Sequence, residues 1–128
     1  MTHYRRVLLK LSGESLAGSG RLGIEAKALQ AYSTEIKAVV EQGIEVAVVL
    51  GAGNIFRGLR DKDTGVDRVQ GDYMGMLGTV INSMALQSAL EQKGIRAIVL
   101  SGIPVENICE KMSRRKALKY LSDGYVLI

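Results

Sequence analysis

Apolar residues along this chain come in two arrangements, short runs and stripes spaced three or four apart. Arg6-Val7-Leu8-Leu9-Lys10-Leu11 reads as a short buried strand ended by Ser12-Gly13, and a glycine-rich connection with Gly18, Gly20 and Gly23 follows. Leu29, Tyr32, Ile36, Val39 and Val40 then fall on one face of an amphipathic helix from about Glu25 to Gln42, with Gly43 where a helix stops. Glu45 to Leu50 is apolar at nearly every position after Glu45, the pattern of a parallel strand covered on both faces. A second helix is expected from Asp72 to Lys93, its apolar face carried by Leu77, Ile81, Met84 and Leu90, closing at Gly94. Ile95 to Leu100 is a third strand stopped at Ser101-Gly102, with Pro104 preventing regular continuation. Ser113 to Leu121 gives a short third helix, Asp123-Gly124 a turn, and Tyr125 to Ile128 a fourth strand.

Strand and helix alternate throughout, which predicts an α/β three-layer sandwich, a mainly parallel sheet flanked by helices through right-handed crossovers. The segment from Gly51 to Gly71 interrupts the alternation. It is polar, contains glycine, and is too long for a simple connector, with Asp61 to Gly65 as its expected exposed tip. The chain stops on the last apolar residue of a strand, as expected of part of a longer protein.

Composition narrows the class. At 128 residues, 47% hydrophobic and 23% charged, the chain suits one globular domain, and it has no apolar run near the length of a membrane span. The start runs into strand-like residues rather than a signal-peptide core, so a cytoplasmic location is expected. One cysteine, Cys109, and one histidine, His3, make neither an internal disulfide nor a zinc set, so no resident metal is expected. The formal charge of +4 suits a protein that handles anions. Basic residues cluster from Lys111 to Lys119, where a solvated helix face outweighs a nucleic-acid patch; the six aromatics are scattered and form no stacking platform.

Candidate chemistry gathers where ligands of open α/β sheets sit, beyond the carboxyl ends of the strands. Strand one ends in Lys10-Leu11-Ser12-Gly13, strand two in Gly51-Ala52-Gly53-Asn54 and strand three in Ser101-Gly102-Ile103, and all three ends are expected on one edge. Of 15 glycines, eleven fall in residues 13–23 and 51–78, a concentration that predicts close approach to backbone. Lys10, at a strand's carboxyl end, either snorkels to solvent or points its ammonium at a phosphate; the position favours the phosphate. Gly51 and Gly53 form a tight turn or hold phosphate oxygens by backbone N–H groups, and Arg57 beside them offers a guanidinium fork. The spacing is neither a dinucleotide fingerprint, because Phe56 stands where glycine is needed, nor a P-loop. Asp72 is expected to open its helix, as a cap or as an acceptor for ribose hydroxyls. Gly75 and Gly78 in the same turns cost about 2 kcal/mol together against alanine, so close packing or a ligand should compensate.

With these residues in view the chain resembles the bacterial uridylate kinases (UMP kinases) of the amino-acid kinase family. The resemblance rests on KLSGES at Lys10–Ser15, GIE at Gly23–Glu25, GAGNIFRG at Gly51–Gly58 and GDYMGMLGTVIN at Gly71–Asn82. It implies the N-terminal, UMP- and phosphate-binding part of an amino-acid kinase domain over 1–128, without the half that binds the ATP nucleoside, so that the stretch alone is not a competent kinase. The reaction implied is phosphoryl transfer from MgATP to UMP. Lys10, Leu11, Ser12, Gly13, Gly53 and Arg57 would lie along the ATP phosphates, with Lys10 and Arg57 catalytic, and Ala52 and Asp72 would contact UMP. The family usually has a glycine at position 52; a methyl there is tolerated where φ stays negative. Gly18, Ser19, Gly20, Arg21, Leu22 and Gly23 correspond to a region linked to activation by GTP. The resemblance also implies UTP as an inhibitor, Mg2+ as the ion carried by ATP, and a homohexamer.

Two alternatives remain from the residues. One is another amino-acid kinase acting on a carboxylate or carbamate, against which the Asp72–Asn82 stretch argues. The other is a regulatory module binding nucleic acid through Lys111–Lys119.

Overall fold

The computed structural model describes residues 3–56 and 65–128; Arg57, Gly58 and the Asp61–Thr64 part of the expected loop tip lie outside them. Strand β1 is Arg6–Leu11 and β2 is Glu45–Leu50, joined in parallel with register running from Arg6↔Glu45 to Leu11↔Leu50. An ion pair from Arg6 Nε to Glu45 Oε2 at 2.5 Å closes the first rung. A 3-10 helix, Gly13–Ala17, follows β1, and helix α1 is Ala26–Val40. Helix α2 is Arg68–Glu91, strand β3 Ala97–Ile98, β4 Leu100–Ser101, β5 Glu110–Lys111, helix α3 Arg114–Ser122 and β6 Val126–Leu127.

Four strands form one parallel sheet in the order β1-β2-β6-β3. Alternation along the strands directs Val46, Val48 and Leu50 to one face, where Leu16, Ile36, Leu86 and Leu90 bury them with Val99 and Val126. Each such side chain contributes roughly 1.5–3 kcal/mol by leaving water. On the opposite face α3 lays Ala117 and Leu121 against Leu127, with Ala47, Ile98 and Leu100 around them. Helices therefore flank the sheet on both sides, as the alternation predicted.

Three expectations are corrected. Strand β2 is not covered on both faces along its length: Val49 is 49% exposed and Leu8, on neighbouring β1, is 68% exposed, because α3 reaches only the β6 side of that face. The third strand does not run unbroken from Ile95 to Leu100. Ala97–Ile98 pairs with β6, and Leu100–Ser101 turns away to pair in parallel with β5 in a separate two-stranded sheet. Helix α2 begins four residues before Asp72, and its inward face is not Leu77, Ile81 and Met84. Those three are exposed, and Gly71, Gly78, Val80, Asn82, Ser83, Leu86, Ala89 and Leu90 face inward instead. Small and polar residues let α2 approach the loop after β2 closely, so the apolar stripe at helical spacing turns outward.

Candidate functional site

Because β1 and β2 run in parallel and in register, their carboxyl ends arrive side by side. Gly51 N–H donates to Leu11 O at 3.0 Å, which ties the second loop to the end of the first strand. A Cβ on Gly13 would lie 2.5 Å from Asn54 Oδ1, 2.7 Å from Gly51 O and 2.8 Å from Gly53 N. One on Gly51 would lie 3.2 Å from Gly13 N. Neither Gly13, Gly51 nor Gly53 has positive φ, so these glycines serve close approach of two backbones rather than a left-handed turn. The expectation of closely approached backbone is met, and what approaches each loop is the other loop.

Lys10 stands at this edge, exposed, with no ion pair among the described residues, on the sheet face that α3 leaves uncovered. Ser12 caps the 3-10 helix: its Oγ accepts from Ser15 N–H at 3.3 Å, and Ser15 Oγ donates to Ser12 O at 2.6 Å. The Ser12 hydroxyl keeps its own proton to donate. An ammonium, a hydroxyl and glycine backbone at one strand end form a donor set suited to anionic oxygens.

Asn54 and Asn82, two side chains with no role in the sequence reading, organise this edge. Both are fully buried and exchange reciprocal amide bonds, Asn82 Nδ2 to Asn54 Oδ1 at 2.7 Å and Asn54 Nδ2 to Asn82 Oδ1 at 3.0 Å. The second hydrogen of Asn82 Nδ2 goes to Gly51 O at 2.8 Å, and that of Asn54 Nδ2 to Gly23 O at 2.8 Å. Gly23 N–H returns a bond to Asn54 O at 2.8 Å. A carbonyl can only accept, so each amide must turn its nitrogen to its carbonyl partner, and the pair has one consistent orientation. A sequence signal existed: an asparagine inside Thr79-Val80-Ile81-Asn82 must find partners if its helix packs inward.

Helix α2 brings the remaining residues. Its first turn is Arg68 to Gly71, Asp67 stands at the cap position without a side-chain cap bond, and Asp72 lies exposed in the second turn. The capping reading of Asp72 is therefore corrected, and its carboxylate is left to face solvent. Gly78 packs under the β2 loop, where an added Cβ would meet Ala52 Cβ at 2.8 Å and Ile55 Cβ at 3.4 Å. That close contact is the compensation expected for Gly78. Gly75 has nothing within 4 Å of an added Cβ. Ala52 does not have positive φ, and its methyl group lies against α2.

The Gly18–Gly23 stretch folds over the same loop. Gly20, Arg21 and Leu22 line an open cleft of about 440 Å³ with Glu14, Gly53, Ile55 and Phe56. Gly18 has φ +61 and Gly23 φ +80, and a side chain on Gly18 would strike the Glu25 carboxylate. The end of strand three is not brought to this point. Leu100–Ser101 pairs with β5 in the separate two-stranded sheet, and Gly102 has nothing within 4 Å of an added Cβ. The basic cluster is split, with Lys111 in β5 and Arg114 to Lys119 in α3, and Lys116 Nζ lies 3.6 Å from Glu110 Oε2. Glu110 also accepts from the Tyr120 hydroxyl at 3.1 Å, and that bond raises the Tyr120 pKa above the usual value.

Known proteins share this fold. A uridylate kinase of Bacteroides thetaiotaomicron is 50% identical over all 128 residues, which cover 54% of its length. The crystal structure of a UMP kinase from Bacillus anthracis superposes with a TM-score of 0.90 at 41% identity, over 98% of this chain and 52% of that one. A UMP kinase from Ureaplasma parvum superposes at 0.89 and 31% identity, over 99% of this chain and 54% of that one. The chain thus spans about half the length of these relatives. Matched along residues 5–128, it belongs to the amino acid kinase family.

Proposed function

We propose that this chain supplies the UMP- and phosphate-binding part of a kinase that transfers a phosphoryl group from ATP to UMP. The observation that carries the reading is the meeting of two bare-backbone loops at one sheet edge, Ser12–Gly13 and Gly51–Gly53, with Lys10 beside them. The names of the relatives supply the nucleotides. Lys10, Leu11, Ser12, Gly13 and Gly53 lie along the ATP phosphates, and Ala52 and Asp72 on the UMP side. Arg57 lies outside the described residues, and its part as a second positive charge rests on the sequence.

Phosphoryl transfer to a phosphate acceptor requires little covalent chemistry from protein. The acceptor is already ionised and needs no general base, so the work is to align two phosphates and offset the charge spread over the transferred group. Lys10 offsets charge as a compact cation, Ser12 and the loop N–H groups fix the oxygens, and Asp72 accepts from ribose hydroxyls. The donors gathered here suit oxyanions rather than a cation, which fits Mg2+ arriving on the ATP phosphates and neutralising them when bound. The Gly18–Gly23 stretch against the Gly53–Phe56 loop is where GTP would act, with UTP as the opposing effector.

Self-association is part of the same proposal. Val69, Tyr73, Leu77, Ile81 and Met84 form an exposed apolar stripe along α2, a surface of the kind that oligomers cover with a second copy, here within a homohexamer. Among the described residues no helix is long and apolar enough to cross a membrane. A cytoplasmic site of action accords with the nucleotide substrates.

The test is ligand choice by thermal shift on the full chain. UMP should raise the melting temperature where acetylglutamate and aspartate do not, and Lys10→Ala should remove stabilisation by inorganic triphosphate while leaving that by UMP. Stabilisation by a carboxylate ligand and not by UMP would overturn the reading.

A further inference from the structure

We infer that Asn82 is a positioning residue: through its buried pairing with Asn54 it fixes which way the Gly51–Ala52 peptide points, and so presents the Ala52 N–H to a phosphate. The inference deepens the reading above, on which its nucleotide identity rests.

The geometry runs from one hydrogen bond. Asn82 Nδ2 donates to Gly51 O at 2.8 Å and so holds that carbonyl toward the buried amide pair. No peptide bond among the described residues is cis. Across a planar trans peptide the C=O and the following N–H point in opposite directions. The Ala52 N–H is thereby turned away from the pair and from the Gly13 backbone that the Gly51 carbonyl faces, an added Cβ on Gly13 lying 2.7 Å from Gly51 O. It donates to no group among the described residues, whereas Gly51 N–H is occupied by Leu11 O and Ala52 O by the N–H groups of Ile55 and Phe56, both at 2.9 Å.

A bond of this kind is needed here because the preceding residue is glycine. Gly51 can rotate about ψ with little steric resistance, and the opposite peptide orientation would face an incoming anion with a carbonyl oxygen. That orientation repels phosphate instead of donating to it. Asn82 selects between the two, and Asn54 holds Asn82 in the selecting orientation through two further bonds and a tie to Gly23. The same tie connects the Gly18–Gly23 stretch to the orientation of the loop.

The test uses amide-resolved NMR on the full chain, with inorganic phosphate and UMP as separate probes. Both should shift the Ala52 amide in the unsubstituted protein. Asn82→Asp keeps the size of the side chain and still accepts from Asn54, but sets a carboxylate against Gly51 O. It should weaken binding of either probe about 10- to 100-fold, the range for a hydrogen bond to a charged group. Val99→Ala, in the core beneath the sheet, is the control for lost stability; it should lower the melting temperature and leave phosphate affinity within about twofold. If the acid fails to fold, Asn82→Ala removes the donor without adding charge and should weaken binding in the same way. An Ala52 amide unmoved by both probes, or an Asn82 variant that binds as well as the Val99 control, would overturn the inference. If phosphate shifts Ala52 but UMP binds no better than phosphate, the positioning role stands and the UMP reading falls.

Discussion

Gly75 and Gly78, one turn apart in α2, have opposite surroundings. An added Cβ at Gly75 meets nothing within 4 Å, so Gly75→Ala should stabilise the fold by about 1 kcal/mol through helix propensity. At Gly78 the added Cβ would stand 2.8 Å from Ala52 Cβ, and Gly78→Ala should destabilise by about 1–3 kcal/mol despite the same gain in propensity. Because the clash is with a methyl group, Ala52→Gly in the Gly78→Ala background should recover part of the loss. A double-mutant cycle by urea denaturation reads the coupling, and additive effects would show that the two positions do not touch. The sequence made the crowding of glycines visible, and with it the prospect of closely approached backbone. It did not show that the Gly13, Gly51 and Gly53 loops approach one another, since that depends on β1 and β2 being neighbours in register. Asn54 and Asn82 carry no sequence signal as a pair for the same reason: they are 28 residues apart, and each resembles an ordinary polar residue until the partner is known.

Helix α3 and helix α2 differ in how their starts are written. Ser113 Oγ accepts from Lys116 N–H at 3.1 Å, a side-chain cap that the sequence pattern announces, and the expected Ser113–Leu121 segment matches Arg114–Ser122 with Ser113 as cap. Ser113→Ala should therefore cost about 1 kcal/mol, seen as a lower melting temperature, and Ser113→Asp should retain most of it. In α2 the cap-position Asp67 makes no side-chain bond, and nothing in Arg68-Val69-Gln70-Gly71 distinguishes a first turn from the end of a loop. The inward face of α2 was illegible for a further reason. It is built from Gly71, Gly78, Asn82 and Ser83, which hydropathy scores as surface, while the outward stripe is apolar. Ile81→Lys together with Met84→Lys should leave the fold intact, since both side chains are exposed, and shift the protein to a smaller species in sedimentation velocity. An unchanged sedimentation coefficient would show that this stripe does not hold copies of the chain together.

At the scale of the molecule, the parallel sheet order β1-β2-β6-β3 gathers strand ends onto one edge, but unevenly. The first two ends meet, and the third stands apart, so the described site is built from one pair of loops and the helix beneath them. Its charged residues fall on different surfaces: Lys10 emerges on the face where Leu8 and Val49 remain exposed, whereas Asp72 projects from α2. Transfer between two nucleotides needs both held at once, with donor and acceptor phosphates aligned to within a fraction of an ångström. The UMP kinases similar to this chain are about twice as long as this stretch. Residues 1–128 expressed alone should accordingly bind UMP weakly through the Gly51–Gly53 loop and form no UDP above the rate without protein. A coupled assay for UDP, run with an NMR titration of UMP on the same sample, separates binding from turnover. Steady-state UDP production by the purified 1–128 polypeptide would show that the loop pair, Lys10 and Arg57 suffice for catalysis.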